Sequence, residues 1–209
     1  MRHHPFAHVV VALTLSGTAI AGEIPEASGV RVPVECEQFS TIPGGSASPA
    51  AWNQLLSYAA CIQDASVGRI VSAFQLPGFI EQLEVALVPS LMYYVAAVQN
   101  GPGPVKIRAA YQIGMSQLTL VTRARMSMTS PELGEELEPM LEAPAKLAWS
   151  AFTLIDRVAT ENPEVAPDVV TQNIVRSARQ YAVLLERVWS FEREEPEIRT
   201  AVTPWRLSP

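Results

Sequence analysis

From Ser48 onward, apolar residues recur along the chain at spacings of three and four, the repeat of a single helical face. Ser48-Pro49 supplies an N-cap and a first-turn proline. Trp52, Leu55, Leu56, Ala59, Ile62, Ser66, Ile70 and Ala73 then form one stripe, which predicts a first helix. A second opens at Pro77 and stops at Asn100-Gly101-Pro102, where glycine suits a left-handed cap and proline cannot continue the helix. Its stretch from Val85 to Val98 is apolar nearly all round, so it is expected at the centre of the fold, kinked at Pro89.

A third helix is predicted from Pro104 to about Met128. Its seam is Ile107, Tyr111, Gly114, Leu118, Val121, Arg125 and Met128, with Gly114 allowing a close approach of backbones. Ser130-Pro131-Glu132 opens the next helical stretch. Pro139 and Pro144 should break it into a short helix and a long one ending at Asn162-Pro163. The long one carries Leu147, Ala148, Ala151, Phe152, Ile155 and Ala159 on one face. The last helix starts at Pro167-Asp168 with a stripe of Val170, Ile174, Ala178, Tyr181, Leu185 and Val188, and it frays in the charged run Glu192 to Glu197.

No segment alternates with period two, and the connections are short. The pattern therefore predicts an all-α fold, an antiparallel bundle of about five helices over residues 48–195. A short α-solenoid is the alternative, although no repeat recurs at a fixed period of about 34 or 40 residues. Residues 22–47, rich in Gly, Pro, Ser and Glu, read as an irregular arm, and residues 196–209 as an aperiodic tail.

The first 21 residues read as an address. Arg2 and three histidines precede an apolar run from Val9 to Leu15, and Ala19-Ile20-Ala21 matches a signal-peptidase site. Export to the periplasm or the extracellular space is the expectation. Cys36 and Cys61, the only two cysteines, should then bridge and staple the arm to the first helix. Such a loop contributes about 3 kcal/mol in the chain-entropy account. The spacing is not C-x-x-C, and no basic neighbour lowers either thiol's pKa.

Composition narrows the chemistry further. A hydrophobic fraction of 48% is enough for a packed core. The net charge of −6 argues against a nucleic-acid partner. Val85 to Val98 is shorter than the ~20 residues of a membrane span, and Glu81 and Glu84 stand one turn upstream. His3, His4 and His8 are the only histidines, so cleavage after Ala21 leaves a chain without imidazole. That removes His-ligated zinc or haem and the Ser-His and Cys-His pairs. No calcium loop, phosphate loop or G-x-S-x-G elbow is present, and neither a metal nor a cofactor is expected.

Among the charged residues Arg125 is the most unusual, because it falls on an apolar seam. With Asp156 as its partner, and Arg108 or Lys106 beside it, it would make an anion pocket inside the bundle. In the bland reading Arg125 lies in a last helical turn, snorkels to solvent and meets the helix C-terminal dipole. The acidic run Glu132, Glu135, Glu136, Glu138 and Glu142 reads as a solvated face, and the aromatic residues near the stripes read as packing. Two functional classes remain. One is a non-catalytic module that binds a protein or a small apolar ligand; the other is a histidine-independent enzyme using Arg and carboxylates in a bundle cavity.

Overall fold

The computed structural model describes residues 33–39, 48–71, 78–127, 131–165 and 168–191. The expected signal segment, the tail, Pro77, Met128 and most of the arm lie outside these residues. The described chain forms five α-helices and no strand: α1 Pro49–Val71, α2 Gly78–Asn100, α3 Gly103–Ser127, α4 Pro131–Glu161 and α5 Val169–Trp189. They pack as an antiparallel bundle, as the periodicity implies.

Each boundary has a local cause. The Ser48 hydroxyl accepts from the Ala51 amide at 3.2 Å and caps α1. The Gly101 amide donates to the Ala97 carbonyl at 2.9 Å and closes α2. The expected left-handed conformation does not occur at Gly101. Glycine is required there for space, since a Cβ would stand 2.5 Å from the Ala97 carbonyl oxygen and 2.7 Å from Val105 Cγ1. Asp168 caps α5 by accepting from the Thr171 amide at 2.8 Å, and Ser190 ends that helix at φ 54°.

Three expectations are corrected. First, α4 is a single helix of 31 residues that runs through Pro139 and Pro144. Each proline removes one ladder hydrogen bond. On either side of them, however, Leu137, Leu141, Ala145, Ala148, Phe152 and Ile155 keep one buried stripe in phase. Burial of that stripe outweighs the lost bonds. Leu147, expected on the inner face, is 41% exposed.

Second, the inner face of α5 is Thr171, Val175, Ala178, Ala182 and Leu185. Val170 and Val188, placed in the core by the sequence pattern, are 65% and 46% exposed. Ala178 and Leu185 are buried as expected, and Ile174 and Tyr181 are partly buried against the same cluster, Tyr181 on the Phe152 ring of α4.

Third, the central helix is α3 rather than α2, because α3 meets all four others while α2 meets α1 and α3. Over residues 86 to 99 the α2 helix is nevertheless covered, with none of them exposed, and it continues through Pro89.

Two buried clusters result. One joins α1 and α2 to α3 through Leu55, Tyr58, Ile62, Tyr94, Ala109 and Ile113. The other joins α3 to α4 and α5 through Leu120, Val121, Leu141, Phe152, Ala178 and Leu185, with Leu87 of α2 also in it, while Ala151 of α4 belongs to the first. Gly114 sits where α3 meets α4, with no room for a side chain against the Phe152 ring. The described part of the arm, Val34–Phe39, is a 3₁₀ turn against α1. Cys36 is fully buried there and is bonded to Cys61 of α1.

Candidate functional site

In an up-down bundle α1, α3 and α5 run in the same direction. Both outer helices lean on α3, but not on each other. Their N-terminal halves leave an open groove above α3, with a volume of about 540 Å³. Asn53, Leu56, Ser57 and Ala60 of α1 form one wall, and Val170 and Ile174 of α5 form the other. Arg108, Tyr111 and Gln112 of α3 make the floor, and Asp168 stands at the α5 end. The volume falls within the ~300–1,000 Å³ of small-molecule sites, which are mostly apolar with a few placed polar groups.

The polar groups of the groove are held in distinct ways. Arg108 Nη1 donates to Asn53 Oδ1 at 3.3 Å, tying α3 to α1, while Arg108 Nε is buried with no acceptor among the described residues. Asp168 is occupied. Its Oδ1 takes the Thr171 amide and its Oδ2 takes the Thr171 hydroxyl, each at 2.8 Å. Those hydrogen bonds, with the Arg108 charge as a smaller cause, hold its carboxyl below the usual range. Tyr111 leans edge-on against Phe152, with ring centroids 6.1 Å apart. Burial first, then Tyr181, raises its pKa, against a hydrogen bond with Ser177 that lowers it.

The four residues considered for an internal anion pocket are not gathered in one place. Arg108 is in the groove; Lys106 is half-buried two residues before it and does not line the groove. Arg125 is about 25 Å further along α3 at 1.5 Å per residue. There it pairs with Glu138 and lies over the Trp189 ring, its Cζ 4.7 Å from the centroid. Asp156 pairs with Arg179 of α5 rather than with Arg125. Both pairs are partly exposed and of modest worth.

Of the acidic run, Glu138 carries that ion pair, while Glu135 and Glu142 are exposed on α4. Among the described residues, no three His, Cys, Asp or Glu side chains gather to hold a metal ion. No described helix is long and apolar enough to cross a membrane.

Four buried polar atoms without a partner among the described residues lie outside the groove: Gln63 Oε1, the Tyr94 hydroxyl, Thr153 Oγ1 and Trp189 Nε1. Tyr94 is fully buried on α2 and its hydroxyl has no hydrogen-bond partner among the described residues. Burial, followed by the Asp64 charge, pushes its pKa well above the usual phenol range.

Sequence reasoning singled out Arg108 but not the groove around it. The available signal was the apolar pair Val170 and Ile174 of α5, which read equally well as core. Comparison of the chain with protein-family models, with curated proteins and with solved structures finds no match.

Proposed function

We propose that the protein is an exported, non-catalytic binding module that holds a small apolar ligand in the groove between α1, α3 and α5. The observation that carries this reading is an open groove beside two closely packed cores, in which Leu56, Ala60, Tyr111, Val170 and Ile174 supply the apolar lining among the polar Asn53, Ser57, Arg108, Gln112 and Asp168. The titratable side chains lining it are Arg108, Tyr111 and Asp168, and the last is committed to capping α5. An enzyme built from Arg and carboxylates would need Arg125 and Asp156 at the same space, and each is paired elsewhere. Support for export comes from Arg2, the apolar run Val9 to Leu15 and Ala19-Ile20-Ala21. The bonded cysteine pair accords with an oxidising compartment, the periplasm or the exterior.

The neutral dye Nile red tests the groove. Its fluorescence should rise saturably with the native protein. Ser57→Trp, which adds a large ring on an exposed wall position, should abolish the rise without changing helical circular dichroism. Equal dye binding by this variant would show that the groove is not the site. For export, the mature protein should begin at or near Gly22 by mass spectrometry, and an intact Met1 on exported protein would refute it.

A further inference from the structure

We propose that Asn100-Gly101, at the junction of α2 and α3, is a site of self-modification, where the Asn100 amide converts to a carboxylate when the last turn of α2 opens.

The reactive pair is set by sequence and held in place by packing. An asparagine amide is attacked by the backbone nitrogen of the residue after it, and that nitrogen is least crowded when no Cβ stands beside it. Of the four asparagines, Asn53 precedes Gln54, Asn173 precedes Ile174, and Asn162 precedes Pro163, which has no N–H. Asn100 alone precedes glycine. The fold keeps that glycine, because a Cβ at 101 would stand 2.5 Å from the Ala97 carbonyl oxygen. Asn100 itself is exposed, so water, the other reactant, reaches it.

In the closed turn both reacting groups are occupied. The Gly101 amide donates to the Ala97 carbonyl at 2.9 Å, and Asn100 Nδ2 donates to the Ala96 carbonyl at 3.2 Å. Asn100 is the last residue of α2, and ring closure needs a ψ far from the helical value of about −42°. Opening the turn releases both groups. The Gly101 nitrogen then bonds to Asn100 Cγ, the Cγ–Nδ2 bond breaks, and ammonia leaves with the proton from Gly101. Water opens the cyclic imide at either carbonyl, giving aspartate or isoaspartate.

Both products act back on the turn. The new negative charge lies at the C-terminal end of α2, where the helix dipole disfavours it and the last turn holds no basic residue. Isoaspartate also adds a carbon to the main chain beside Gly101, which is buried and has no space to spare. Modification therefore loosens the junction of α2 and α3.

The full protein is incubated in mildly alkaline buffer, native or unfolded in guanidinium chloride, and its peptides are followed by mass spectrometry. In the unfolded chain Asn100 should convert ahead of Asn53, Asn162 and Asn173. In the native protein its conversion should be at least about tenfold slower, which is about 1.4 kcal/mol of turn stability and within reach of two hydrogen bonds. Asn100→Asp, the aspartate product made directly, should melt below wild type, with the gap narrowing as salt is added. Another asparagine converting ahead of Asn100 in the unfolded chain would overturn the site. Equal native and unfolded rates would overturn control by the turn. A Tm of Asn100→Asp at or above wild type, or a gap indifferent to salt, would overturn the loosening by charge.

Discussion

Replacing Gly114 by alanine sets two well-understood effects against each other. In a helix interior, alanine gains about 1 kcal/mol over glycine through backbone entropy. At this position, however, the added Cβ would stand 2.5, 2.7 and 2.9 Å from Cε1, Cζ and Cδ1 of Phe152. Carbon atoms in contact prefer about 3.5–4.0 Å, so the ring or the helix must shift by roughly an ångström. The ring cannot swing away, because Phe152 is fully buried against Tyr111 and against Tyr181, whose centroid is 5.2 Å distant. Forcing α3 from α4 strains the larger core cluster, at a cost of about 1–3 kcal/mol or more.

The net expectation for G114A is therefore a loss of up to about 2 kcal/mol, or up to roughly 8 °C in Tm for a chain of this size. Thermal melts followed by circular dichroism measure it. A second variant isolates the cause. Phe152→Leu removes the offending ring atoms, and on that background Gly114→Ala should be neutral or stabilising. The difference between the two backgrounds is the coupling energy of the contact. If alanine stabilises the wild type by its full helical preference and shows no coupling to Phe152, then close approach is not the reason for glycine here.

Two other perturbations follow from the ends of the helices. Cys36→Ser, or reduction, should lower stability by about 3 kcal/mol for a crosslink of this span while helical circular dichroism persists; melting of the helices at once would make Val34–Phe39 part of the core, and two reactive thiols in the oxidised protein would deny the bond. Asp168→Ala should lower Tm at neutral pH by uncapping α5. Because the folded carboxyl titrates below its unfolded value, the native contribution is present above the unfolded pKa and is lost as pH falls through the folded one. The Tm gap between variant and wild type should close towards low pH, and a gap constant with pH would refute the capping role.

The helices were legible because their start signals are local. Ser48 and Asp168 are capping residues that act within one turn, and the structure uses both. The passage of α4 through Pro139 and Pro144 was not legible. A proline's effect is counted in one hydrogen bond, whereas the stripe that overrides it is buried only once α3 and α5 are in place. On α5 the expected stripe held at Ala178, Tyr181 and Leu185, but packing chose Val175 and Ala182 over Val170 and Val188. The partners of Arg125 and Asp156 escaped for a related reason. Each is an ion pair between helices, and register between helices leaves no trace in the spacing along one of them. The groove is the extreme case, since it exists only as the gap between α1 and α5.

The division of the interior into two clusters has a mechanical meaning. Helix α3 turns Ala109 and Ile113 to the α1–α2 pair, and Leu120 and Val121 to the α4–α5 pair, so it serves both halves as a common spine. The disulfide fastens the arm to the first half alone. The amides of α3 would then be the last to exchange with solvent, and those of α5, held by neither bond nor arm, the earliest in the bundle.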